Sequence, residues 1–65
     1  MTPGQLLTAE QVAARWQVPV AHTYRLAREG RVPCVRLGRY VRFRLDQIEA
    51  FEIQQTTGTL QEVGP

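Results

Sequence analysis

PVAHTYRLAREGRVPCVRLGRYVRFR, residues 19–44, holds seven of the eight arginines of this 65-residue chain and a single acid, Glu29. Its reading decides the fold, because two periodicities meet inside it. Up to Glu29 the apolar residues recur as on a helix; beyond Pro33 they alternate as on a strand. Proline is poor inside a helix but good in its first turn, so a helix is expected to begin at Pro19 and run to about Glu29. On a wheel of about 100° per residue, Val20, Thr23, Tyr24, Leu26 and Ala27 fall on one half. Ala21, His22, Arg25, Arg28 and Glu29 fall on the other. One half can pack, while the other presents two arginines and a histidine. Such a surface serves either to contact a polyanion or as an ordinary solvated face, and His22 on it is equally a contact residue or a solvated one.

Gly30 closes the helix, and Arg31-Val32-Pro33 leads into the alternation. Val35, Leu37, Val41 and Phe43 share one face; Arg36, Tyr40, Arg42 and Arg44 share the other. The pattern is that of a half-buried antiparallel hairpin with an arginine-studded outer face. If apolar residues oppose one another, Leu37 faces Val41 and Val35 faces Phe43. That pairing requires a three-residue loop, Gly38-Arg39-Tyr40, with Arg39 at the tip; a two-residue turn would set Arg36 against Val41. A protruding hairpin with Arg at its tip suits a narrow minor groove. It also suits an edge strand guarded by charge. Cys34, just before the first strand, reads as a small buried hydrophobe.

Working outward, Leu7-Thr8-Ala9-Glu10-Gln11-Val12 is a helix start. Thr8 caps, Gln11 completes a capping box and Leu7 staples against Val12. Val12, Ala13 and Trp16 then make a helix of about two turns whose apolar stripe places Trp16 in the core. Two short helices joined by the tight turn Gln17-Val18-Pro19 form a helix-turn-helix, whose second helix enters the major groove of DNA. Beyond the hairpin, Leu45, Ile48 and Phe51 interleave with acids in a third helix to about Gln54, packed under the hairpin. The acids suit the positive end of its dipole. Residues 56–65 are polar and unpatterned and read as a loose tail, like residues 1–5; residues 6–55 read as the domain.

Charge is segregated. Residues 22–44 carry a net +6, whereas residues 45–65 hold four acids and no base, in a chain of net +2. A field concentrated in the middle third implies a polyanionic partner or a strongly solvated face. One cysteine and one histidine exclude an intrachain disulfide and a zinc cluster. No apolar run spans a membrane and no signal peptide opens the chain, so a soluble, cytoplasmic protein is expected. No nucleophile–base–orienter set is present, so no catalytic residue, cofactor, metal or small-molecule substrate is expected. The fold class expected is α+β: a small winged helix-turn-helix with two N-terminal helices, a two-stranded antiparallel wing and a C-terminal helix.

LLTAEQVAARWQVP, YRLAREGRVPCVRLGRYVRF and IEAF together resemble the excisionase family of small MerR-like winged-helix proteins. The resemblance runs from Leu6 to Phe51. It is most specific at Tyr24-Arg25-Leu26, Arg28-Glu29-Gly30, Pro33 and Leu37-Gly38-Arg39. It implies a recombination directionality factor that binds and bends attachment-site DNA of a phage or mobile element, so that an integrase excises rather than integrates. The alternative it implies is a small winged-helix transcriptional regulator. The implied partners are double-stranded DNA and a cognate integrase, with self-association of adjacent copies on DNA left open. The implied setting is the nucleoid of a bacterial or phage-infected cell. DNA contacts are expected from Ala21, His22, Arg25 and Arg28 on the helix, and from Arg36, Gly38, Arg39, Tyr40 and Arg42 on the wing. The chain departs from the family at Pro19, where Ser is usual, and at His22-Thr23, where Thr followed by an apolar residue is usual. The first change removes a side-chain cap; the second moves a hydroxyl inward and a ring outward.

Overall fold

The computed structural model describes residues 5–57. The elements are β1 (Leu6–Thr8), α1 (Ala9–Trp16), α2 (Val20–Arg28), β2 (Val35–Leu37), β3 (Tyr40–Arg44) and α3 (Leu45–Gln55). This is the expected small α+β arrangement of a helix-turn-helix with a wing. The tails expected at residues 1–5 and 56–65 lie outside the described residues except for Gln5, Thr56 and Thr57. Gln5 accepts a hydrogen bond from the Leu45 N–H through its carbonyl.

The helices begin and end where local chemistry dictates. The Thr8 hydroxyl accepts from the Gln11 N–H, and the Gln11 side chain accepts from the Thr8 N–H, which is the capping box. α1 stops at Gln17, in the left-handed region at φ 61°. There the Gln17 N–H bonds the Ala14 carbonyl and the Val18 N–H bonds the Ala13 carbonyl. α2 ends in the same way: Gly30 at φ 75° bonds the Ala27 carbonyl, and the Arg31 N–H bonds that of Leu26. Both are Schellman terminations, and only the second uses the residue that reaches positive φ without strain. Pro19 is the N-cap of α2 rather than part of its first turn, and it supplies no side-chain cap.

One strand was not legible in the sequence. β1 pairs with β3, Leu7 opposite Phe43, so the wing strands belong to a three-stranded antiparallel sheet in the order β1-β3-β2. The hairpin register also differs from the alternation argument. Leu37 pairs with Tyr40, Arg36 with Val41 and Val35 with Arg42, which leaves the two-residue turn Gly38-Arg39. Gly38 has φ 64° while Arg39 does not have positive φ, the pattern of a type II′ turn, whose twist matches that of the strands. Alternation misled because it assumed that Leu37 is buried. Leu37 lies beyond the edge of the core and is 50% exposed, so its burial exerts no force on the register.

The core gathers Ala9 and Val12 of α1, Leu26 and Ala27 of α2, Val32, Phe43 of β3 and Ile48 of α3. Leu7, Cys34, Val41 and Phe51 pack around it, half-buried. Trp16 is not the central anchor expected. It sits on the rim, its ring 5.5 Å from that of Phe51. Val20 and Tyr24, placed on the packing half of α2, are 38% and 41% exposed. The buried stripe of α2 is therefore narrower than the wheel suggests: Thr23, Leu26 and Ala27.

Candidate nucleic-acid interface

The helix-turn-helix pair fixes one part of the interface. Burial of Thr23, Leu26 and Ala27 turns Ala21, Arg25 and Arg28 outward, all exposed, with His22 half-buried beside them. Residues three apart on a helix are neighbours, and an Arg25 Nη2 hydrogen-bonds His22 Nδ1. His22 lies between two clefts. One is lined by Val18, Pro19, Ala21 and Arg25; the other reaches Trp16, Leu26, Arg31, Phe51 and Glu52.

The wing supplies the second part. Positive φ at Gly38 lets the chain reverse in two residues, which puts Arg39 at the turn. Tyr40 is 54% exposed, and the guanidinium carbons of Arg39 and Arg42 lie 5.9 and 5.4 Å from its ring centroid. Both are within cation–π range, so the ring holds two charges near the turn. Arg42 also donates to the Val41 carbonyl at 2.9 Å. The two-residue turn corrects the expected outer face. Tyr40, Arg42 and Arg44 share a side with Val35 and Leu37, whereas Arg36, opposite Val41, lies on the other.

Electrostatics divide the arginines further. Arg15 pairs with Glu52, Arg31 with Glu29 and Arg44 with Asp46. Among the described residues no carboxylate pairs with Arg25, Arg28, Arg36, Arg39 or Arg42. These are the five arginines placed at the site from sequence. Acids thus pair with the guanidinium groups outside the predicted set, and none among the described residues pairs with those within it.

The pairing of Arg15 with Glu52 gave no signal in the sequence, since the two residues are 37 apart. Arg15 Nη2 donates to Glu52 Oε1 at 2.9 Å, while Arg15 Nε and Trp16 Nε1 donate to Oε2. The Arg15 hydrogen bond, seconded by that of Trp16, holds the Glu52 carboxyl below the ordinary carboxylate range and raises Arg15 in turn. The network ties the end of α1 to α3 and leaves neither oxygen of Glu52 idle. No group of three or more His, Cys, Asp or Glu side chains suited to a metal occurs among the described residues.

The family of helix-turn-helix domains matches the chain over residues 6–56. The chain belongs to that family. As a helix-turn-helix domain it is a DNA-binding module, with α2 in the place of the recognition helix and the β2–β3 hairpin as its wing. No helix among the described residues of the domain is long and apolar enough to cross a membrane. No curated protein and no solved structure shows significant similarity to it.

Proposed function

We propose that this helix-turn-helix domain is an excisionase: a recombination directionality factor that binds and bends attachment-site DNA and so promotes integrase-mediated excision of a phage or mobile element. The observation that carries the DNA-contact part of the reading is the set of five arginines without carboxylate partners among the described residues, two on α2 and three on the hairpin. An uncompensated guanidinium gains most from phosphate, because contact releases condensed counterions. In this reading Arg25 and Arg28 enter the major groove from α2, with Ala21 small enough to let the helix approach. Arg36, Arg39 and Arg42 grip the backbone and minor groove from the wing. Gly38 shapes the turn, and Tyr40 braces the guanidinium groups of Arg39 and Arg42. Holding two grooves at once favours a bent duplex.

The excision role itself is supported by the resemblance of the run from Tyr24 to Gly30, with Pro33 and Leu37-Gly38-Arg39, to the excisionase family. The protein acts without chemistry of its own. Its partners are the duplex and an integrase, in the nucleoid. A supercoiled-plasmid assay with the cognate integrase tests this. Excision should rise with added protein. Specific DNA binding without stimulation of excision would overturn the assignment in favour of a small transcriptional regulator, which would instead change promoter output in cells lacking any integrase.

A further inference from the structure

We propose that His22 is a positioning residue for Arg25, and that protonation of His22 converts base-selective binding into non-selective grip on DNA. The inference rests on α2 being the DNA-reading helix. A guanidinium has five donors and no acceptor. The contact between Arg25 Nη2 and His22 Nδ1 therefore requires a lone pair on Nδ1, with the ring proton on Nε2. No carboxylate holds Arg25 among the described residues, so the imidazole sets the direction of its planar fork. The ring can do this because it is itself half-buried, with Val18, Pro19 and Ala21 against one cleft and Trp16, Leu26 and Phe51 lining the other. Bidentate recognition of a guanine edge needs that fork in one orientation.

A proton on Nδ1 turns the acceptor into a donor and sets two cations three residues apart on one helix face. Arg25 is then released. The other charged groups around His22 do not restore the contact. Arg31, beyond the end of α2, repels an imidazolium. Glu52 of α3 has both oxygens engaged by Arg15 of α1 and by Trp16. The same protonation adds a positive charge to α2. Two effects of opposite sense follow from one event: discrimination between base sequences falls, and affinity for any duplex rises. A histidine that merely packs would not separate them.

The test uses the full chain and a short duplex selected by it from a random pool at about pH 8, set against a scrambled duplex of equal composition. Binding is read by fluorescence anisotropy at about pH 8 and about pH 5.5 over a series of salt concentrations. The chain holds one histidine, so no second imidazole contributes to the comparison. For the parent, the ratio of selected to scrambled affinity should fall roughly tenfold at the lower pH, by the loss of one bidentate base contact. The scrambled duplex should meanwhile bind more tightly, with a salt slope steeper by about one. His22→Asn keeps an acceptor at the Nδ1 position and does not titrate, so its ratio should be the same at both pH values. His22→Phe keeps the ring and loses the acceptor, so its ratio should be low at both. An unchanged parent ratio, or a His22→Asn variant that reproduces the parent's fall, would overturn the inference. If the pool yielded no bound sequence, the DNA-reading role of α2 would fall first and take the inference with it.

Discussion

Thr23→Val should make the protein more stable. Thr23 is 1% exposed, and its hydroxyl has no hydrogen-bond partner among the described residues. Burying an unsatisfied hydroxyl costs about 1–3 kcal/mol relative to a satisfied or apolar group. Valine replaces that oxygen with a methyl of similar shape, is β-branched like threonine, and has a comparable helix propensity. No cavity opens and no partner is stranded, so the substitution should stabilise by about 1–2 kcal/mol. In a domain of this size each kcal/mol is worth about 4–8 °C in Tm. Paired thermal and urea melts followed by circular dichroism would read the change, with an unaltered urea slope showing that the exposed area is the same. Thr23→Ala removes both the hydroxyl and the methyl. Its gain should be offset by the loss of about 0.8 kcal/mol of buried methyl plus a cavity term, so it should fall below the valine variant. A Thr23→Val protein no more stable than the parent would mean that the hydroxyl is already satisfied, and the argument would be wrong.

Three further predictions concern other parts of the molecule. Arg39→Ala should bind DNA more weakly, with a salt slope shallower by about one, because a turn guanidinium that contacts phosphate releases a counterion; an unchanged slope would place Arg39 away from the duplex. Gln17→Gly should raise stability by about 0.5–1 kcal/mol in chemical melts, because Gln17 occupies φ 61°, where glycine has no steric penalty; destabilisation would show that the Gln17 side chain contributes more than its backbone strain costs. Glu52 is held below its ordinary value of 4.5, first by Arg15. Its contribution is therefore complete above that value and is lost as pH falls through the lowered one. Between about pH 5 and pH 2 the parent's Tm should drop more steeply than that of Glu52→Gln, and parallel curves would remove the carboxylate from the acid limb.

Pro19 and His22-Thr23, the positions that set this chain apart from the excisionase pattern, each have a structural counterpart. Pro19 leaves α2 without a side-chain cap. Thr23 takes its hydroxyl into the core without a partner among the described residues, and His22 turns its ring toward Arg25. The cost and the new contact fall on the same turn of the helix.

Much of the fold was written locally. Thr8 and Gln11, Pro19, Gly30 and Gly38 mark the boundaries of α1, α2 and the hairpin through caps and turns that need only neighbouring residues, and the period of Leu45, Ile48 and Phe51 set out α3. Charge segregation and wheel geometry marked the basic stretch and the outward arginines of α2, while the set on the wing came from the family resemblance, since alternation also offered Arg44. Tertiary structure decided the rest. β1 is three residues long, too short to show a period, and exists because β3 offers it a partner. The hairpin register followed the Gly38-Arg39 turn once Leu37 proved to lie outside the core. Arg31 and Arg44 pair with acids two residues away, but the pairing of Arg15 with Glu52 and the place of Trp16 at the rim beside it depend on residues 37 and 36 positions apart. Contacts at that separation leave no mark on local pattern, because their energy arises only after the chain has folded.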